Sequence, residues 1–151
     1  MAIDFDFGLK QRKVTMSALD EFARLSGKLF VGGKYISSTT TAHLDVIEPA
    51  TEDRLGQIAD ATDSEVDQAI DVASLARRKW LSMDARSRAV VLHDIAAVIR
   101  RDKSQFAEFL TREEGKPFKE SVDEVSWCAT AIDYYAELAR HETGRLAGAT
   151  V

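Results

Sequence analysis

A single cysteine, Cys128, stands among 151 residues, so no internal disulfide, four-thiolate metal centre or CxxC redox pair can form from this chain alone. Proline is almost missing, with 2 residues, and glycine is limited to 8. That scarcity excludes collagen-like and linker-rich designs, and no internal repeat is visible. Long apolar runs are absent too. Met1 to Lys13 carries Asp4 and Asp6 and never builds the apolar stretch of a secretory signal, and no later segment approaches the length that spans a bilayer. A soluble chain in a reducing, cytoplasmic setting is the expectation, with no membrane partner. Histidine is equally sparse. His43, His93 and His141 are widely separated, and no His-Glu-x-x-His pair puts two imidazoles on adjacent turns for zinc.

What is present describes one ordinary domain. Hydrophobic residues make up 45% and charged residues 30%, enough to bury about two-thirds of the unfolded surface. The balance of 20 Lys and Arg against 25 Asp and Glu leaves a net charge of -5, a field that does not draw polyanions over distance, so nucleic acid is not an expected partner. The basic run Arg77-Arg-Lys79, with Arg86, Arg88, Arg100, Arg101 and Lys103, reads as a solvated face or a protein interface.

The chain changes period once. Ser17-Ala-Leu-Asp20 offers a short capping pattern before Phe22, Leu25 and the break at Gly27, which predicts a short first helix. Leu29-Phe-Val31 and Lys34-Tyr-Ile36 flank Gly32-Gly33, a tight hairpin because glycine accepts positive φ without strain. Leu44-Asp-Val-Ile47, stopped by Glu48-Pro49, and Leu55-Gly-Gln-Ile-Ala59 add strand candidates. Two or three strands are expected to make one small sheet.

From Thr62 the spacing is helical. Thr62 and Glu65 form a capping box ahead of Val66, Ala69, Ile70, Ala73 and Ala76, with Trp80 beyond. Asp84 caps a second helix whose Val91, Leu92, Ile95, Val98 and Ile99 should face the same core. Phe106, Phe109 and Leu110 mark a shorter helix, which Glu114-Gly115-Lys116-Pro117 stops. The last helix carries Val122, Val125, Ala129, Ile132, Ala136 and Ala139 on one side, and Trp127, Tyr134 and Tyr135 should enlarge its packing surface.

Few of these residues suggest chemistry. No Gly-x-Gly-x-x-Gly turn or phosphate loop occurs, and Gly32-Gly33 sits between strands with no helix N-terminus behind it. Cys128 lies in an apolar helix, where burial would raise its thiol and blunt nucleophilicity. Glu113-Glu114 and Asp123-Glu124 are neighbours whose side chains diverge, unlike the facing carboxylates of acid/base catalysis. Lys116 reads as a charge partner of Glu113 or Glu114, and Phe30, Tyr35, Trp80, Trp127, Tyr134 and Tyr135 as core or subunit packing rather than a ligand pocket. His93, among Val90, Val91, Leu92 and Ile95, reads as a helix-surface or satisfied boundary residue.

One resemblance organises the whole. Leu29-Phe-Val-Gly-Gly-Lys-Tyr-Ile36, Val46-Ile-Glu-Pro-Ala-Thr51, Arg78-Lys-Trp80, Glu114-Gly-Lys-Pro117 and Tyr134-Tyr-Ala136 resemble, in order and interval, the N-terminal portion of the NAD(P)-dependent aldehyde dehydrogenase superfamily. Glu48 departs from the asparagine frequent there. The resemblance implies an α/β fold in which a small N-terminal β-hairpin sheet is followed by packed helices, an incomplete aldehyde-dehydrogenase-like Rossmann domain. It divides the chain into an N-terminal extension with a short helix (1–28), the N-terminal part of a cofactor-binding domain (29–145) and a truncated tail (146–151). The cofactor lysine, the active-site glutamate and the nucleophilic cysteine of the family fall beyond Val151, so it implies no catalytic and no cofactor-binding residue here. NAD or NADP belongs to the complete enzyme, a homo-oligomer, and the expected partner is the C-terminal catalytic portion or a companion chain. By the same resemblance, a monovalent cation is assigned to backbone oxygens at Val46 and Ile47 with the Glu113 side chain. The alternative reading is a non-catalytic helical interaction or assembly module.

Overall fold

The computed structural model describes residues 18–141. A short helix α1 (Ala18–Leu25) leads into strands β1 (Lys28–Val31) and β2 (Lys34–Ser37). Val31 pairs with Lys34, leaving Gly32 and Gly33 as the two turn residues, at φ 60° and 79°. Positive φ at both positions gives the twist that matches a right-handed strand pair, and glycine adopts it freely. Strands β3 (His43–Ile47) and β4 (Arg54–Ala59) form a second antiparallel pair. Their loop is closed by the Glu48 N–H donating to the Asp53 carbonyl at 2.9 Å and the Glu52 N–H to the Glu48 carbonyl at 2.8 Å.

The single small sheet expected from sequence is thus two separate hairpins. The reason lies in the polar connector between them. Ser38 and Thr39 turn their donors toward Glu65, at the start of the next helix, instead of extending the ladder of β2. The β3–β4 hairpin is anchored on its other side, where the Gly27 N–H donates to the Gln57 carbonyl at 2.9 Å and the Gln57 N–H to Ser26 Oγ at 3.2 Å.

Four helices follow: α2 (Asp63–Ser82), α3 (Ala85–Arg101), α4 (Lys103–Glu114) and α5 (Phe118–Leu138). Each start and stop has a local cause. Thr62 and Glu65 make the reciprocal capping box on α2, and Asp84 accepts the Ser87 N–H at 2.7 Å on α3, satisfying amide donors that a helix N-terminus leaves open. Gly115 ends α4 at φ 76°, a left-handed cap. A Cβ at Gly115 would come within 3.2 Å of Pro49 Cβ, so the absence of a side chain also permits close approach of the β3–β4 loop.

Burial centres on α3, α4 and α5, and the residues most deeply enclosed are small. Ala89, Ala96, Ala107, Ser121, Val125, Ala129 and Ala136 are buried, and Thr111 and Ser121 share a hydrogen bond of 2.8 Å between α4 and α5. Small side chains let helix backbones approach closely, and the larger residues then flank the crossing instead of filling it. The large residues of α3 expected in the core therefore lie at its edges: Val91, Leu92, Val98 and Ile99 are half-buried and Ile95 is exposed. On α5 the expected stripe does pack, with Val125, Ala129 and Ala136 fully inside.

Candidate functional site

The residues singled out from sequence fall into three places. At the first, Val46 and Ile47 end β3, where a register shift interrupts the pairing with β4, and such an irregularity leaves backbone groups outside the regular ladder. Val46 is half-buried and Ile47 exposed. The loop that follows meets the end of α4. Glu48 accepts from Arg112 Nη2 at 2.7 Å and Nε at 3.2 Å, and both side chains are mostly shielded, at 14% and 26% exposure. Together with the Pro49–Gly115 approach this fastens the loop to the last turn of α4, whose exposed Glu113 lines the groove beside Cys128. Among the described residues, no cluster of three His, Cys, Asp or Glu side chains is arranged to hold a metal.

The second place is Cys128. It is exposed, not buried as its apolar helix suggests, because it stands where α5 turns from its packed face into an open groove of about 560 Å³ whose walls include Leu25, Phe106, Phe109, Leu110 and Val125. Among the described residues no histidine lines this groove to act as a base for the thiol, and its ionisable lining is Glu113 and Glu124. Lys116 makes the third place. It pairs with Glu114 at 2.8 Å and with Glu124 across the turn into α5, not with Glu113. These contacts, with Glu114 first, raise its pKa above the ordinary lysine value and keep it a fixed cation rather than an amine nucleophile.

Glu65 is the polar group that sequence reading undervalued. Beyond its cap it is buried and accepts from Thr39 N–H at 2.7 Å, Thr62 N–H at 2.9 Å, and the Ser38, Thr39 and Thr62 hydroxyls. The Thr39 and then the Thr62 backbone donors hold its carboxyl at about 2, far below the ordinary 4.5. The polar run Ser37–Thr41 was the available signal for those donors. Arg112 and Glu48 had no such local signal, being 64 residues apart.

Apart from the groove beside Cys128, two helices present open apolar faces among the described residues. On α2, Val66 and Ile70 are exposed beside β1, and Leu75 and Leu81 lie open farther along the helix. On α5, Trp127, Tyr134 and Leu138 are 73%, 62% and 47% exposed. Their spacing puts them opposite the packed Ser121, Val125, Ala129 and Ala136, so α5 is apolar on two sides, the pattern of a helix meant to be covered on both. The aromatic residues expected to pack are thus turned outward in the isolated chain.

A dinucleotide cofactor needs a phosphate cradle, commonly glycine-rich backbone at a helix N-terminus. Here the N-caps of α2 to α5 are Thr62, Asp84, Asp102 and Pro117, and Gly32-Gly33 is spent on a hairpin turn. The described residues do not fit that group, and no chemical step follows from them.

Comparison with known proteins agrees with this partial architecture. The model of the aldehyde dehydrogenase family matches residues 35–150. D-glyceraldehyde dehydrogenase (NADP(+)) of Thermoplasma acidophilum is 30% identical over 123 residues, covering 82% of this chain and 25% of that protein. Lactaldehyde dehydrogenase of Escherichia coli superposes with a TM-score of 0.77 at 31% identity, over 82% of this chain and 26% of its own. For 3,6-anhydro-L-galactose dehydrogenase the TM-score is 0.72 at 35% identity, over 76% and 24%. The chain spans about a quarter of the length of the relatives it matches.

Proposed function

The chain belongs to the aldehyde dehydrogenase family, and from that premise we propose that it is the N-terminal structural portion of an NAD(P)+-dependent enzyme that oxidises an aldehyde to a carboxylic acid or acyl product. It is inactive without the downstream catalytic portion, which supplies the cofactor-binding sheet and the nucleophile. The observation that carries this reading is α5, apolar on two opposite sides with one side open, in a chain matching a quarter of its relatives. The open side is where the catalytic portion or a companion chain docks. The complete enzyme is a cytoplasmic homo-oligomer that uses NAD or NADP.

The residues of this chain act as fasteners in that assembly. Glu65 fixes the connector between the hairpins to α2, and Arg112 with Glu48 fixes the β3–β4 loop to α4. The backbone oxygens of Val46 and Ile47, with Glu113, form part of a monovalent-cation site. Two observations support it: the break in the ladder at Val46/Ile47, and the fastening of the adjoining loop to the end of α4.

The test begins with the purified chain alone, incubated with aldehydes and either NAD+ or NADP+. No reduced cofactor is expected, and Cys128→Ala is expected to change nothing. Turnover that disappears in Cys128→Ala while the fold persists would instead make the chain an independent thiol enzyme.

A further inference from the structure

Outside these places, one cluster of titratable groups joins two helices. His93, midway along α3, has Nδ1 at 2.7 Å from Asp133 Oδ1 and Nε2 at 2.6 Å from Glu137 Oε1. The two carboxylates stand one turn apart on α5, so one ring engages two successive turns. A neutral imidazole has one N–H and one lone pair, and the lone pair would face a carboxylate oxygen at contact distance. Imidazolium alone donates at both nitrogens.

We propose that His93 is a proton-operated staple between α3 and the C-terminal turn of α5, closed as imidazolium and released when the ring is neutral. The groups around it decide which arm opens. Asp133 is held a second time by Arg100 of α3, so it keeps a cationic donor when His93 loses its proton. Glu137 is backed only by Arg140 at 3.7 Å among the described contacts, beyond hydrogen-bond distance, and its side chain is 54% exposed. Glu137 is therefore the arm that opens. The two helices stay together through Ala89, Ala96, Ala129 and Ala136, which confines the release to the last turn of α5.

The direction of titration agrees with this geometry. Hydrogen bonds to Glu137 first and Asp133 second raise His93 above its ordinary 6.5. A raised value means the staple contributes fully below the unfolded-state pKa near 6.5 and is lost as pH rises through the higher folded value. Salt screens part of this, because the cluster is solvent-accessible.

NMR of the full chain tests the staple. The His93 ring would be titrated while amide exchange is followed across residues 134–141, each rate divided by its intrinsic base-catalysed value. His93 is expected to titrate above 6.5, and protection of the last α5 turn to fall several-fold with the same midpoint. In Glu137→Gln, an exposed replacement that spares the helix packing, the His93 midpoint is expected to drop and the pH dependence of protection to flatten. A His93 midpoint at or below the ordinary value, or protection unchanged through the titration, would overturn the proposal. Neither result bears on whether the chain completes a dehydrogenase, so the two readings fail separately.

Discussion

Glu65 shows what one residue contributes when a local signal acquires distant partners. As the third residue of α2 it closes a capping box, and the same carboxylate gathers the Ser38–Thr39 connector from 26 to 27 positions away. Because its folded pKa is held at about 2 against an ordinary 4.5, its stabilisation is complete above the ordinary value and is lost as pH falls toward 2. Urea unfolding followed by circular dichroism is expected to show Glu65→Gln less stable than the parent at neutral pH. The variant should also decline less steeply in acid, since the charge that titrates is gone; equal stability and equal acid slopes would contradict this role. The capping box was legible in sequence because its members are three apart. The Ser38 and Thr39 donors were not, and neither was the Arg112–Glu48 pair, because pairings of that range exist only once the fold brings the segments together.

At the scale of elements, the hairpin at Gly32-Gly33 and the helices from Thr62 onward were legible because glycine turns, caps and apolar period are local properties. Which apolar residues become buried was not. Period identifies a face, but the closeness of two helices is set by the smallest residues at their crossing, here Ala96 on α3, Ala107 on α4 and Ala129 on α5. Enlarging one of these should cost more than trimming a large residue on an open face. Ala129→Leu is expected to destabilise by about 1–3 kcal/mol through overpacking, whereas Tyr134→Ala, on a side chain 62% exposed, should change the urea midpoint little. If the tyrosine variant proved the costlier of the two, the small-residue crossing would not be what holds the bundle.

For the molecule as a whole, the two-sided α5, the exposed stripe of α2 and the quarter-length match to its relatives belong together. Family membership was legible from ordered motifs spread over the chain, since loops such as Glu114-Gly-Lys-Pro117 and strand pairs such as β1–β2 follow local rules. The outward turn of Trp127 and Tyr134 was not legible, because helical spacing marks a residue as apolar without showing whether its cover lies within the same chain. Three groups that could suggest chemistry have another explanation among the described residues: Lys116 is an ion-pair centre, the groove beside Cys128 is lined by no histidine, and His93 is bonded to two carboxylates. Supporting structure is the role we propose for this chain, and the decisive measurement is reconstitution. The purified chain would be mixed with the downstream catalytic portion of the enzyme, with association followed by sedimentation and activity by aldehyde-dependent NAD(P)H formation. A stable complex with turnover that neither component shows alone is the expected result; two folded components that neither associate nor turn over aldehyde together would contradict it.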